Sequence, residues 1–325
     1  MAKALTRKKS EEKNSNLAKA SRKKTLILLT MVAPGTIWLL LLRYLPIGGI
    51  IMAFQNYTIH MEAPSFINNL IHSAFVGLQN FKFLFLVSDT WIMIRNTLLY
   101  NIVFIVLGLV IPVTFAIMLS ELTSKPAAKF YQTLMFFPYF LSWVVASYFL
   151  QAFLDPTRGL LVNLMEMWGL PPIDFYNDTT PWPFILTVCN IWKNTGYSAI
   201  LYLAAITGID ASEYEAASID GASKWKQIVY ITLPHLKPMM IMLFIMNIGK
   251  IFCSDFGLFF NIPLQSGPLF PVTQVVDTYV YRAMMSTQNY GMSTAAGLLQ
   301  NLIGFTCVMV ANGIVRKIDP ESALF

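Results

Sequence analysis

Three charged residues stand inside stretches that are otherwise apolar: Lys193 within 182–206, and Lys250 and Asp255 within 238–256. A charge near the centre of a bilayer costs roughly 2.5–3.5 kcal/mol on insertion scales. Such residues therefore face a watery cavity, a partner chain or a counter-charge. Asp255 follows Lys250 closely enough to offset it, and snorkelling of Lys250 to the outer interface is the alternative. Around Lys193 cluster Asn190, Trp192, Asn194 and Tyr197. Asn190, Asn194 and Tyr197 share one stripe by i, i+4, i+7 spacing, with Trp192 and Lys193 partly off it. Asn247, Gln300 and Asn301 add amides in two later apolar stretches. Such a set can hydrogen-bond a polar solute, couple an ion through Lys193, Lys250 and Asp255, or tie helices together through amide bonds.

Catalysis is not encoded. No GxxxxGK[ST] loop, nucleophile elbow or HExxH is present, and His60, His72 and His235 fall in separate loops. Cys189, Cys253 and Cys307 are odd in number, unpaired by motif, and read as small packing residues. No metal site and no cofactor are expected in this chain.

The elements that must position these residues are membrane helices. Of the 325 residues, 56% are hydrophobic and 12% charged, which excludes an ordinary soluble domain. Since about 20 apolar residues cross the hydrocarbon, six spans are expected at roughly 25–53, 96–119, 131–153, 183–206, 238–257 and 295–315. The fold class is all-α integral membrane. Pro34 and Pro46 predict a kinked or divided first span, and Pro112 and Pro138 predict kinks in the second and third. Trp38, Trp91, Trp143 and Trp182 are candidates for interfacial belts.

Nine basic residues precede Thr25; Lys125 and Lys129, then Lys224, Lys226 and Lys237, then Arg316 and Lys317 follow in alternate loops. The outer loops carry Lys82, Arg158 and Arg282. The positive-inside rule thus places both termini in the cytoplasm. The net charge of +6 reflects this topology and calls for no nucleic-acid partner. A basic cytoplasmic tail (1–24), attracted to anionic lipid, is expected to lead into one membrane domain (25–318) and a short cytoplasmic C-terminal tail (319–325). No repeat or Gly/Ser linker divides the domain, and prolines mark substantial outer segments.

Between the fourth and fifth spans, at about 207–237, lies a polar loop facing the cytoplasm. Asp210 followed by Glu213 reads as a capping-box-like helix start. A short helix from about 211 to 219 should be interrupted at Asp220-Gly221, because Gly tolerates φ > 0 and leaves no Cβ where two helices meet. A second short helix then runs to Leu233-Pro234, where proline should end it. Ala216, Ala217 and Ala222 permit close backbone approach, and Glu213, Glu215 and Asp220 make one end acidic. Such a helix-turn-helix can seat in a groove on a partner and be pushed as a lever.

The pattern Glu215-Ala216-Ala217, Gly221, Ile231, Leu233-Pro234 resembles the cytoplasmic signature of binding-protein-dependent ABC importer permeases. The Pro- and aromatic-rich outer loops and the C-terminal sequence 316–325 resemble the carbohydrate branch, maltose-type, and within it the polysaccharide or oligosaccharide subgroup. The resemblance implies a second permease chain, two cytoplasmic ATPase subunits that bind ATP and Mg, and an extracellular solute-binding protein. It implies that Glu215, Ala216, Ala217 and Gly221 dock on the ATPase, while Ile231, Leu233 and Pro234 pack and end the second helix. In that scheme the amides and lysines would hydrogen-bond sugar hydroxyls and an aromatic face would stack on a pyranose ring. Two rivals stand beside it: the same machinery carrying amino acids, peptides or phosphate, and an ATP-independent transporter coupled to an ion gradient.

Overall fold

The computed structural model describes residues 23–59, 65–86 and 89–325; the basic tail before Lys23, His60 and Pro64 lie outside them. The first helical segment, α1 (Lys23–Phe54), continues unbroken past Pro34, passes a π-turn at Leu40–Tyr44, and changes to 3-10 geometry at Leu45–Phe54 with Pro46 in its first turn. The proline's missing N–H is thereby placed where no intrahelical bond is required. None of the apolar window of α1 is buried within the chain, which suits a helix surrounded by hydrocarbon rather than water.

A minimal ribbon follows, β1 (Gln55–Asn56) antiparallel to β2 (Ala74–Phe75), with Gln55 opposite Phe75. It departs from the all-α expectation. The Asn80 side chain holds it by donating to the carbonyls of Ala53 and Gln55 at 3.0 and 2.8 Å. Two short helices, α2 (Phe66–His72) and α3 (Gln79–Leu86), flank the ribbon.

The body of the molecule is α4 (Thr90–Ser120), the pair α5 (Lys125–Phe140) and α6 (Trp143–Leu154), the short α7 (Leu160–Met167), and α8 (Trp182–Thr207). Beyond α8 come α9 (Ala211–Ile219), α10 (Lys224–Ile248), α11 (Phe256–Asn261), α12 (Val276–Thr287) and α13 (Tyr290–Ile318). α4 lies along α8, and α5 also packs against α8. One core gathers Tyr100, Trp143, Trp182, Leu186 and Phe259; a second gathers Val113, Ala116, Tyr202, Ile206 and Leu236. Trp143 and Trp182 are core residues, not belt residues, whereas Trp38 and Trp91 are exposed. The indole N–H of Trp182 is satisfied by the carbonyl of Phe175, as a buried indole requires.

Among the described residues, α1, α4, α10 and α13 are long and apolar enough to cross a membrane, and α5 with α6 makes a fifth if the pair counts as one span. The third and fourth expected spans differ from these. The third is not a kinked rod but two helices bent by 100°, broken at Leu141-Ser142. Leu141 is extended, and Ser142 caps α6 by accepting from the Val145 N–H at 3.2 Å. The fourth, α8, has the length of a span at 26 residues, but its polar middle at 190–195 lowers its hydropathy below that of the others.

The fifth expected span is also shifted. Its helix starts at Lys224, inside the polar loop, and ends at Ile248 instead of near 257. Leu233-Pro234 does not end the helix. A π-turn at Ile228–Thr232, in which the Leu233 N–H bonds Ile228 C=O, absorbs the proline in the following turn.

The C-terminal segment folds back instead of trailing free. Asn312 clamps it from both sides, donating to the Phe325 carbonyl at 2.9 Å and accepting from the Leu324 N–H at 2.8 Å. Asp319 pairs with Lys237 of α10 at 2.7 Å, and that hydrogen bond holds the carboxyl below its usual range.

Candidate functional site

Two features of the structure bear on function: a cavity walled by α4, α8 and the end of α10, and an exposed hinge formed by α9 and the start of α10. The cavity has a volume of about 540 Å³. α8 contributes Asn190, Asn194, Tyr197 and Ser198; α4 contributes Asn101 and Phe104; α5 contributes Tyr139. The end of α10 closes it with Asn247, and the turn that follows with Lys250, Ser254 and Asp255. A narrower chamber of about 150 Å³ shares Tyr197, Ser198 and Asn247 and is walled further by Tyr202 and Phe244.

Tyr139 and Tyr197 stack with ring centroids 4.7 Å apart and 12° between planes, and Phe136 extends the stack at 5.7 Å from Tyr139. Both tyrosines keep about two-fifths of their surface exposed (39% and 42%), so the stack ends on a wet wall, not in a core. Four amides face the same space. Asn101 donates to the carbonyls of Ile251 and Cys253 at 2.8 and 3.1 Å, which fixes the turn after α10 and leaves its own oxygen free to accept. Asn194 bonds back to Asn190 C=O at 3.1 Å, and no hydrogen bond occupies the side chains of Asn190 and Asn247 among the described residues. Stacked rings beside uncommitted amides can hold a solute with one apolar face and many hydroxyls.

Six of the ten sequence-predicted path residues meet at this cavity: Asn190, Asn194, Tyr197, Asn247, Lys250 and Asp255. The other four do not. Trp192, about 200° around the helix from Asn190, lines a separate apolar pocket of about 410 Å³ with Met135, Pro138 and Gly196. Gln300 is buried, donating to Phe252 C=O at 2.7 Å and Asp277 Oδ2 at 3.3 Å, and Asn301 bonds back to Gly297 C=O at 2.7 Å.

Lys193 straps the break between α5 and α6. Its ammonium donates to the carbonyl of Tyr139 at 3.1 Å and to that of Leu141, and it lies 5.2 Å from the Trp143 ring centroid. These carbonyls would otherwise lack partners, because the helix stops there. Lys193→Met is expected to destabilise the protein by about 1–3 kcal/mol. The thermal midpoint of the purified chain measures this, and an unchanged midpoint would refute the strap. Sequence reasoning missed Asn101, although a lone amide inside an apolar helix is a visible signal; Tyr139 and Ser254 carried none.

The hinge is built from local rules. Asp210 caps α9 by accepting from the Ser212 N–H at 2.9 Å, and this bond holds its carboxyl below the usual range. Glu213 does not complete a capping box; its Oε1 lies 3.4 Å from His235 Nε2. At the other end the N–H of Ala222 bonds Ala217 C=O at 2.9 Å and that of Gly221 bonds Ser218 C=O at 3.1 Å. This is a Schellman motif, and it demands the left-handed φ of +75° that Gly221 adopts. Ser223 then caps α10.

Side chains brace the two arms. Tyr214 Oη meets Thr232 Oγ1 at 2.9 Å, and the Gln227 amide donates to Ser218 Oγ at 2.8 Å. Lys224 reaches Glu121 beyond α4 at 3.1 Å. Ala217, Ala222, Ile231 and Leu233 are half-buried, while Glu215, Ala216, Asp220 and Pro234 are exposed. No residue of α9 is buried, and Ile219 at its tip is 87% exposed. Among the described residues, nothing covers this face.

Comparison with known proteins agrees with this architecture. Residues 108–321 match the family of the binding-protein-dependent transport system inner membrane component. The polygalacturonan/rhamnogalacturonan transport system permease protein YteP of Bacillus subtilis (strain 168) is 34% identical, over 96% of this chain and 94% of that one. Protein LplB of the same organism is 30% identical over 94% of this chain and 92% of its own length. Among solved structures, a bacterial alginate ABC transporter, in complex with an alginate pentasaccharide-bound periplasmic protein, superposes with a TM-score of 0.79 at 30% identity, covering 91% of this chain and 96% of that one. The chain therefore belongs to the inner-membrane components of binding-protein-dependent transport systems, as a multi-pass transport subunit of the bacterial cell membrane.

Proposed function

We propose that this chain forms half of the path of an ATP-driven importer for an oligosaccharide delivered by an extracellular binding protein. The observation that carries the proposal is α10 itself. One 25-residue helix begins in the exposed hinge and ends at the cavity wall, where Asn247 and Lys250 stand. A push on the hinge is thus transmitted through a single rigid element, roughly 37 Å long at 1.5 Å per residue, to the residues that face the solute.

The uncovered face of α9, with Glu215, Ala216, Ile219 and Asp220, is the seat for an ATPase subunit, which binds ATP and Mg. Two such subunits and a second permease complete the assembly. Counting α8 and the α5–α6 pair each as a crossing gives six spans, an even number that supports both termini lying on one side, and the basic residues of the alternate loops favour the cytoplasm for that side and for the hinge. The tyrosine stack flanked by amides favours a sugar over an amino acid or phosphate. The ion-coupled alternative loses two of its three parts: Lys193 is committed to two carbonyls, and both Asp255 oxygens accept N–H donors, which leaves Lys250 alone.

The test is energy source. Proteoliposomes holding this chain, its partner permease and the ATPases should take up oligosaccharide only with ATP and the binding protein present. Uptake driven by an ion gradient, with no ATPase in the preparation, would overturn the proposal.

A further inference from the structure

The charged groups around the cavity are not balanced. Three of them, Lys193, Asp255 and Lys250, stand on adjacent elements. Asp255 Oδ2 accepts from Trp143 Nε1 at 2.8 Å, and Oδ1 caps α11 by accepting from the Leu258 N–H at 3.2 Å. The Lys193 ammonium, which lies over the same Trp143 ring, is engaged with the carbonyls of Tyr139 and Leu141. Lys250 has no ion pair or hydrogen bond from its side chain among the described residues. It is exposed and lines the cavity beside Asn101 and Asn247. Of the options open from the sequence, the offset by Asp255 is not realised, since that carboxylate is committed elsewhere, and Lys250 faces the cavity. Asp277, another carboxylate of this region, accepts from the Ser254 N–H at 2.7 Å and opens onto a different pocket, with Phe256 and Tyr281.

Resting on the oligosaccharide reading, we infer that the cargo is anionic and that Lys250 is the residue that meets its charge. An unpaired ammonium lining a cavity just past the end of a span is placed to meet a passing ligand that supplies the counter-charge. The tyrosine stack takes the apolar face of a sugar ring, the amides take hydroxyls, and the ammonium takes a carboxylate or sulfate oxygen. Lysine acts as a point charge without bidentate geometry, so it serves either anion and releases it readily during transport.

The assembled transporter, with its ATPases and binding protein in proteoliposomes, is offered tri-galacturonate, its fully methyl-esterified form, neutral galactotriose and sulfated galactotriose. The expected result is ATP-driven uptake confined to the charged probes, with the carboxylate and sulfate arms identifying which anion is taken. Lys250→Gln should lower that uptake by about ten- to a hundredfold, and Lys250→Arg should retain most of it at equal protein level. Uptake of a neutral probe by the native chain, or undiminished uptake of a charged one by Lys250→Gln, would overturn the inference while leaving oligosaccharide import intact. Failure of all four probes would instead remove the oligosaccharide reading, and this inference with it.

Discussion

Gly196→Ala is expected to prevent accumulation of the folded chain. Gly196 is buried on α8 where α5 crosses it, and a Cβ there would meet the Met135 carbonyl oxygen at 1.9 Å and the Phe136 nitrogen at 2.8 Å. Both are backbone atoms of α5, so no side chain can swing aside. Overpacking ordinarily costs 1–3 kcal/mol, and a backbone-to-backbone clash belongs at or above the upper end, about 3 kcal/mol. The two helices must part, and the features they hold together one turn away part with them: the Tyr139–Tyr197 stack and the Lys193 strap. Close crossing at a small residue is how membrane helices gain packing contact in the absence of a hydrophobic drive. Gly313→Ala on α13 is the matched control, since nothing lies within 4 Å of a Cβ placed there. Detergent-extracted yield and thermal midpoint measure the effect. If Gly196→Ala matches Gly313→Ala in both, the crossing is not what holds α5 to α8.

What could be read from the sequence was what local chemistry decides. The turn at Gly221 was legible because helix termination by a left-handed residue depends on a few consecutive positions and on the absence of a Cβ. The stripe Asn190, Asn194, Tyr197 was legible because helical spacing alone puts it on one face. Both features appear where expected.

What failed depended on distant partners. An uncharged run of 25 residues at 130–154 reads as one span, kinked at Pro138, and not as two helices. The break at Leu141-Ser142 is tolerated because Lys193, more than fifty residues away, supplies the missing donors. The same lysine then looked like a path residue, since a charge in an apolar helix advertises function whether it faces solute or backbone. Pro234 misled for a related reason: a proline ends a helix only when the preceding turn cannot widen, and the π-turn at Ile228–Thr232 provides that widening. In consequence a hinge and a span that read as separate elements are one helix, which gives the proposed lever its mechanical continuity.

That lever also fixes what a change at Gly221 should do. With φ at +75° and nothing within 4 Å of where a Cβ would stand, substitution there meets no steric obstacle beyond the backbone's own strain. A left-handed L-residue costs roughly 1–2 kcal/mol, which is a factor of about 5–30 in the population of the intact turn. Asparagine tolerates this conformation, alanine less so, and a β-branched residue least. Gly221→Asn should therefore keep most ATP-coupled uptake, Gly221→Ala should lose part of it, and Gly221→Val should lose about tenfold or more. Membrane levels should stay normal throughout, because α9 contributes no buried residue to either core. The decisive measurement is cargo-stimulated ATP hydrolysis by the assembled transporter at matched protein amounts. A valine variant that couples hydrolysis to cargo as well as the native chain would show that the turn is not the point through which force enters.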